Sequence, residues 1–215
     1  MNNNGTLTNI VTAGQTLVKT GSGFLHGIVV NKTNAAALTI YDASAIVGAS
    51  TKIGTIAASC PAGSTLNYRG KLANGLVVMN GDAVRATGTL TSDTTNVSDG
   101  DTVTIGTIVY RFKNTMAAAY DVKIGADAAT SLDNLKAAIN ASGTPGTEYF
   151  AGTLAHPTVT ATTNTDTTQV VQAIAYGTAG NSIASTETSS HLSWGAATLA
   201  SGAEGSAFDI TVSSE

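Results

Sequence analysis

The chain has 215 residues, of which 42% are hydrophobic and only 11% are charged, and its formal net charge is −4. This weak acidic balance, without any run of basic residues, excludes the phosphate-binding surfaces by which most proteins hold nucleic acid. No apolar run is long enough to span a bilayer, and a single cysteine excludes a framework of intrachain disulfides. The first residues, MNNNGTLTN, contain no apolar signal segment, so we expect a protein made in a cytoplasm.

The missing charged residues are replaced by Thr, Ser, Ala, Gly and Asn. A soluble domain usually has about 25% charged residues, whereas the abundant Val, Ile and Thr of this chain favour strands. Ser, Thr and Ala also lose little side-chain entropy when a contact immobilises them. The composition therefore favours a β-rich component of an assembly, with an ordinary monomeric β-protein of low charge as the alternative.

Residues 1–84 contain short strand patterns separated by turns, and no helical periodicity. The strongest turn signal is Asn74-Gly75, which follows one predicted strand and precedes the next. Spacing of this kind predicts a β-sandwich or jelly-roll-like domain. The predicted strands are 7–11, 16–20, 24–31, 37–42, 52–57, 66–72 and 75–79.

Residues 85–215 combine strands with one helical segment. The clearest hairpin is 99–113, in which Val103 and Ile105 alternate with threonines before a turn at Gly106. A loop or a short helical turn is expected at 178–185. This order predicts a small α+β domain that begins close to residues 82–85, without a long linker. The other predicted strands are 86–92, 120–125, 156–163, 169–176 and 208–213.

Residues 131–140 (SLDNLKAAIN) have the periodicity of an amphipathic helix. Thr130 or Ser131 is the expected N-cap, and Gly143 lies just beyond the expected end. We therefore expect the apolar stripe of this helix to pack in the core of the second domain. The stripe consists of Leu132, Leu135, Ala138 and Ile139.

Two stretches of the chain resemble structural proteins of tailed-bacteriophage virions. The first comprises TGSGFLHGIVVN, the pair Tyr41-Asp42, KIGTI at 52–56 and LANGLVVM at 72–79. The second comprises GTLTS, DGDTVTIGTIVYRFK, DVKIGADAATSLDNLKAAIN, AHPTVTAT, GTAGNSIA and LSWGAATLASG, in this order. Together they cover nearly all of residues 20–203. The second departs from the resemblance at Thr107-Ile108, where a polar Gly-Lys-like turn is expected.

The resemblance implies a structural module, with no catalytic residues to carry over. It implies a virion component, made in the host bacterial cytoplasm, whose partners are the major capsid protein or other virion proteins. It also implies a homo-oligomer, most simply a trimer. A capsid decoration or cement protein is the expected function. A tail tube, baseplate or fibre accessory protein and a receptor-binding module for host glycan remain alternatives.

The three histidines, His26, His156 and His191, stand apart in the sequence, without the spacing of a metal site. For His26, within an apolar strand, a hydrogen-bonded structural role is favoured over metal binding. His156 is expected at the start of a strand and His191 on a loop. Cys60 is followed by Pro61 and lacks the neighbouring base that a nucleophile needs, so a structural thiol is expected.

The carboxylates form no catalytic pattern. Asp99 and Asp101 flank Gly100, which favours a solvated turn over a cation site, and a glycosidase would need two opposed carboxylates. The remaining acidic candidates, Glu148, Glu187 and Glu204, are scattered over predicted loops. We therefore expect no enzyme, no cofactor and no metal.

Two further patterns have a structural and a functional interpretation. Gly21-Ser22-Gly23 begins like a dinucleotide fingerprint, but the third glycine and the following helix are missing, so a glycine turn before a strand is favoured. Trp194, Tyr149 and Phe150 are candidates for an exposed contact with a sugar or a partner. Core packing is the favoured role of these aromatic residues.

Overall fold

The computed structural model describes residues 6–11, 13–44, 51–81, 83–205 and 207–214. Within them the chain is mainly β, which confirms the predicted fold class. The first strands are β1 (Thr6–Ile10), β2 (Gly14–Thr20), β3 (Gly23–Lys32), β4 (Leu38–Asp42), β5 (Thr51–Ile56), β6 (Thr65–Leu72) and β7 (Gly75–Asn80). The next elements are β8 (Arg85–Ser92), β9 (Thr102–Ile105), β10 (Ile108–Lys113), β11 (Asp121–Lys123) and helix α1 (Ala128–Asn140). The last are β12 (Val159–Asn164), β13 (Thr168–Tyr176), a 3-10 helix (Thr178–Ser182), β14 (Ser185–Glu187), β15 (Leu192–Trp194) and β16 (Asp209–Ser214).

The chain forms two compact units. Unit 1 comprises Met1–Val84 together with Ala203–Glu215, and unit 2 comprises Arg85–Gly202. Unit 1 contains two four-stranded antiparallel sheets, in the orders β1-β16-β3-β6 and β2-β7-β4-β5. Both sheets contribute alternate residues to one core, as in a β-sandwich. This core consists of Ile10, Leu25, Ile28, Val30, Leu38, Ile40, Ile56, Leu72, Leu76, Val78, Phe208, Ile210 and Val212.

The C-terminal strand corrects the expected extent of the second domain, 85–215. The strand at 208–213 is present as β16, but it pairs with β1 on one side and β3 on the other, inside unit 1. Ile210 and Val212 are fully buried there, and burial of these side chains favours the central position in the sheet. Strand periodicity shows which face of β16 is buried, but it does not show which strands are its neighbours.

Asn80, the last residue of β7, links the two sheets of unit 1 by its side chain. Its Nδ2 donates to the Phe208 carbonyl at 2.8 Å, and its Oδ1 accepts from the Phe208 amide at 2.9 Å. Both Asn80 and Phe208 are fully buried, so water cannot replace these hydrogen bonds. The amide therefore fixes the chain segment that enters β16.

Unit 2 contains two further four-stranded sheets and helix α1. The sheets have the orders β11-β10-β9-β14 and β12-β13-β8-β15. Their pairs are antiparallel except for β10 and β11, which run parallel. The helix packs against β11, β12 and β13. Its predicted stripe is buried, which confirms the expected role of Leu135 and Ile139 in the core.

Helix α1 begins three residues earlier than the sequence predicted. The expected N-cap, Thr130 or Ser131, was wrong, because the cap is Asp127, whose carboxylate accepts from the Thr130 amide at 2.8 Å. The alanine-rich segment before residue 131 has no apolar periodicity, and so its helical state was not visible. The helix ends at Asn140 as expected, with Ala141 in the left-handed region.

The hairpin of β9 and β10 has a two-residue turn at Gly106 and Thr107. Ile105 pairs with Ile108 across the turn, and Gly106 has a φ of 57°. Both hairpin turn types of this length require a positive φ at the first position. Ile108, at the departure from the resembling pattern, packs against the core of unit 2, which explains an apolar residue beside the turn.

Replacement of Leu135 should destabilise unit 2. The side chain is fully buried, and a buried Leu→Ala change costs about 2–5 kcal/mol through lost burial and the cavity left behind. Urea unfolding of Leu135→Ala measures this loss. The matched control is Lys136→Ala on the partly exposed side of the same helix, for which a change within about 0.5 kcal/mol is expected. Equal values for both variants would contradict the assigned helix face.

Replacement of Asn80 should destabilise unit 1. Asn80→Ala leaves the amide and the carbonyl of Phe208 without their side-chain partner, and each unsatisfied buried group costs about 1–3 kcal/mol. We therefore expect a loss of roughly 2–6 kcal/mol in the free energy of unfolding. Asn67→Ala is the control, because Asn67 is exposed on β6. If Asn80→Ala lost as little free energy of unfolding as the control, the two hydrogen bonds between Asn80 and Phe208 would contribute nothing to stability.

Candidate functional site

The structure distributes the three histidines over both units. His26 lies on β3, in unit 1, at a register shift between Leu25 and Gly27. His191 precedes β15 in unit 2, where its Nδ1 lies 3.0 Å from a carboxylate oxygen of Asp93. Over the described ranges, no three His, Cys, Asp or Glu side chains are grouped so that they could hold a metal ion.

His156 is buried in unit 2, and its ring is held by backbone groups. Nε2 donates to the Ile105 carbonyl at 3.0 Å, while Nδ1 accepts from the amides of Thr158 and Val159, each at 3.2 Å. Because both donors face Nδ1, the proton of the neutral ring lies on Nε2. The ring also stacks on Tyr110 at a centroid distance of 6.3 Å. These contacts make His156 a structural residue that connects β9 with the start of β12.

Asp99 and Asp101 hold the turn before β9. Asp99 accepts from Lys113 Nζ and from the Asn114 amide, both at 2.7 Å. Lys113, followed by the Asn114 amide, holds the pKa of Asp99 below its usual range. Asp101 accepts from the Ser98 amide at 2.9 Å. Both carboxylates therefore stabilise the turn by hydrogen bonds, in agreement with the turn that the sequence favoured over a cation site.

The three glutamates lie in different places. Glu148 accepts from the Thr144 amide at 2.5 Å, in the segment that follows α1. Glu187 is the last residue of β14, and Glu204 belongs to the C-terminal segment of unit 1. The structure therefore does not bring these three carboxylates together on one element.

Asp121 is a buried carboxylate that the sequence analysis did not single out. Burial opposes its ionisation, but the amides of Ala117 and Ala118 and the side chain of Arg111 donate to it and lower its pKa. Arg111 Nε lies 2.8 Å from the carboxylate. Because Arg111 and Asp121 are register partners of β10 and β11, the pair stabilises the parallel edge of this sheet.

The candidate thiol and aromatic residues pack inside the units. Cys60 is partly buried against the core of unit 1. Tyr149 and Trp194 belong to the core of unit 2, and the Trp194 indole donates to the Thr186 carbonyl at 3.2 Å. Phe150 is partly exposed. Core packing, the favoured interpretation, is therefore the observed state of Tyr149 and Trp194.

The glycine-rich segment before β3 is a turn between two strands. Gly21 has a φ of 71°, and its amide donates to the Asn74 carbonyl at 3.1 Å. Strand β3 follows at Gly23, where a dinucleotide fingerprint would require a helix. The segment therefore has the geometry of the favoured interpretation, a glycine turn before a strand.

Two motifs of the resemblance meet in unit 1. Asp42, at the end of β4, accepts from the amides of Ala73, Asn74 and Gly75, at 2.9, 2.8 and 3.2 Å. Burial opposes the charge of Asp42, yet the three amides together lower its pKa. The Tyr41-Asp42 pair and the Asn-Gly turn are therefore two halves of one structural element, in which a carboxylate holds the turn between β6 and β7.

Gly75 shows why this turn requires glycine. Its φ is 146°, and a Cβ at this position would lie 2.7 Å from the Lys19 carbonyl oxygen and 2.8 Å from that of Ala43. Both obstacles are backbone atoms, which cannot rotate away. Any side chain at residue 75 would therefore displace the strands on either side of β7.

The middle of the outward side of the β1-β16-β3-β6 sheet forms a continuous surface without charged side chains. Two rows of directly paired residues cross all four strands. The alternate residues of these strands point into the core, so both rows lie on the solvent side. The rows are Leu7, Ser213, Gly27 and Asn67, and Asn9, Thr211, Val29 and Thr65. We refer to these eight residues as the uncharged face.

Charged residues occur at the ends of this sheet. Lys32 pairs with Asp209 at one end. At the other end, Arg69 and Lys71 are exposed on β6 beyond Asn67, and Lys71 pairs with Phe24. The side chain of Asn31 donates to Asp209 at 2.9 Å and to Thr211 at 3.1 Å, next to the uncharged face. Between the two ends, the surface offers hydroxyl, amide and apolar groups, which form hydrogen bonds and van der Waals contacts but no ion pairs.

Comparison with protein-family models, curated proteins and solved structures gives no match to this chain. No helix among the described residues is long and apolar enough to cross a membrane.

Stability should fall in mild acid because of His156. Burial lowers the pKa of His156 below its usual range, although the hydrogen bond to Ile105 opposes this shift. Unfolded histidine titrates near pH ~6.5. As the pH falls below this value, the unfolded chain binds a proton that the folded chain excludes. The stability contributed by the neutral ring is therefore complete above pH ~6.5 and is lost as the pH falls towards the folded pKa.

Urea unfolding at a series of values from about pH 5 to 7.5 measures this dependence. His156→Gln should remove part of the slope, whatever its effect on the absolute stability. Asn67→Ala is the control, because it changes an exposed residue of β6 that does not titrate, and it should keep the slope. An unchanged slope in His156→Gln would assign the acid sensitivity to other groups.

Proposed function

We propose that this protein is a non-enzymatic structural component of a tailed-phage virion, and specifically a decoration protein that stabilises the capsid. The resemblance of residues 20–203 to virion structural proteins suggests the class. The observation that supports binding to a shell is the uncharged face, which spans four strands of unit 1. A protein that binds only the assembled shell stabilises it by mass action.

The uncharged face suits a protein–protein contact for an energetic reason. Protein interfaces are depleted in Lys, Glu and Asp, because these charges are costly to remove from water. Thr, Ser and Asn lose less solvation, and their short side chains lose little conformational entropy on immobilisation. The exposed Leu7 and Val29 add apolar area to the same surface. The polar groups of such a face are hydrated in the free protein, and yet burying them in a contact costs little free energy.

A homo-oligomer on the capsid lattice is part of this proposal. A lattice has local symmetry axes, and an oligomer that engages several equivalent sites gains avidity of about 10²–10⁴ over one contact. The trimer implied by the resemblance would occupy a local three-fold position. In a baseplate or a fibre, two of the alternative locations, the copy number per virion would be much lower than on the shell.

Binding to particles that lack this protein tests the proposal. Thr65→Lys places a charge on the uncharged face, at an exposed position of edge strand β6. We expect it to bind at least about tenfold more weakly than the unchanged protein, which corresponds to 1.4 kcal/mol. Heat resistance of the particles should fall in parallel. The bound copies per particle and the temperature of genome release are the two measurements.

The matched control is Thr55→Lys. Thr55 is also an exposed threonine of an edge strand, but it lies on β5 in the other sheet. This variant should bind and protect like the unchanged protein, since it adds the same charge outside the uncharged face. Equal weakening by both variants would show that net charge, and not the face, governs binding. If particles without the protein keep heat-resistant heads but fail to adsorb to host cells, receptor binding replaces decoration as the function.

A further inference from the structure

The two sheets of unit 1 end in four edge strands, β1, β6, β2 and β5. An edge strand presents unpaired backbone amides and carbonyls, to which another chain can add a strand. Proteins protect such edges with charged side chains, especially lysine, and with bulges that interrupt the regular hydrogen-bonding row. The four edges of unit 1 differ in this protection.

Three of the edges are protected in both ways. Strand β6 carries Arg69 and Lys71, and Arg69 has a positive φ of 48°. Strand β2 carries Lys19, with a register shift between Leu17 and Lys19. Strand β5 carries Lys52, beside a register shift in its pairing with β4. A second copy that approached any of these edges would meet a like charge and an irregular backbone.

Strand β1 has neither protection. Its sequence, TLTNI, contains no charged residue and no proline. All five residues pair with β16 in unbroken register, from Thr6 with Ser214 to Ile10 with Ile210. Among the described strands, β16 is its only neighbour. Leu7 is 70% exposed, although it is a large apolar side chain on a regular strand.

We propose that β1 binds β1 of a second copy of this chain, in antiparallel orientation, so that the two four-stranded sheets form one sheet of eight strands. With the two-fold axis at Thr8, Leu7 lies opposite Asn9 of the second copy, and Thr6 lies opposite Ile10. No charges meet in this arrangement, whereas like charges opposite each other destabilise a strand pair. Self-pairing of β1 is therefore the homotypic edge contact that the charges of unit 1 permit.

This contact also combines the two uncharged faces. A two-fold axis perpendicular to the sheet leaves the outward sides of both copies on the same side. The faces then form one surface across eight strands, centred on β1. The contact is isologous, so it closes as a dimer and cannot by itself produce a three-fold ring. Its location in unit 1 does not depend on the role in a virion, and it can be tested without particles.

Pairing of two five-residue strands buries less than the ~1,200 Å² of a typical stable interface, so the free dimer should be weak. Covalent trapping makes it measurable. Thr8→Cys, in a chain that also carries Cys60→Ala, places two thiols opposite each other at the axis. Directly opposed Cβ atoms lie about 4.5–5.5 Å apart in an antiparallel pair, close to the separation that a disulfide requires.

Mild oxidation of the Thr8→Cys chain should produce a disulfide-linked dimer, seen on a non-reducing gel. Adding Leu7→Lys should abolish the dimer, because it introduces the missing edge charge, whereas adding Leu17→Lys on β2 should leave it unchanged. Circular dichroism verifies that each variant is folded. Thr55→Cys on edge β5, in the same Cys60→Ala chain, is the control for random collision.

Three results would overturn the proposal. One is the absence of a Thr8→Cys dimer at the highest soluble concentration. Another is a yield no greater than that of Thr55→Cys. The third is a dimer that persists in the presence of Leu7→Lys. None of these results bears on whether Thr65→Lys weakens binding to particles, so the failure of either proposal can be recognised separately.

Discussion

The return of β16 to the middle of the first sheet is the constraint on which unit 1 depends. Strands β1 and β3 both pair with β16 and not with each other, so this sheet is incomplete until the chain has passed through all of unit 2. The buried amide of Asn80 fixes the returning segment at Phe208. The uncharged face depends on the same event, because Thr211 and Ser213 supply its second strand. This sheet therefore cannot form from contacts between residues that are close in the sequence. The uncharged face exists only once unit 1 is complete.

In the described structure, Asn80 is one of three asparagines whose side-chain amide binds both the backbone amide and the carbonyl of one distant residue. Asn140, at the end of α1, binds both the amide and the carbonyl of Ala161 in β12, and Asn181 binds both groups of Gly202. In each case the side-chain amide makes the two hydrogen bonds that the backbone of a neighbouring strand would otherwise make. Buried backbone groups need partners, and an uncharged amide supplies a donor and an acceptor without the desolvation cost of an ion. A chain with few charges can thereby satisfy its backbone where strands and helices meet.

Local periodicity predicted most elements, because alternation and the helical stripe record which side of each element is buried. The strand at 208–213 and the packing of Leu135 and Ile139 were visible in this way. The partners of β16 were not, since pairing between residues distant in the chain leaves no local signal. The start of α1 was missed because Ala128 and Ala129 have no apolar pattern. The uncharged face could be predicted from the sequence only in part. Thr211 and Val29 could each be placed on an outward side, but their position side by side depends on the unpredicted pairing.

The few charged residues of this chain are concentrated at turns and at sheet edges. The surfaces that lack them are therefore a specific feature of the structure. In unit 2, Asp99 with Lys113 and Asp121 with Arg111 hold turns and a sheet edge. In unit 1, lysine and arginine occupy the edges β2, β5 and β6, where they oppose pairing with other chains. A chain that merely lacked charge would leave all four edges alike. Here three edges are charged and β1 is not, and β1 itself contributes Leu7 and Asn9 to the uncharged face. Solubility alone does not explain this distribution, whereas the contacts that we propose for the uncharged face and for β1 do.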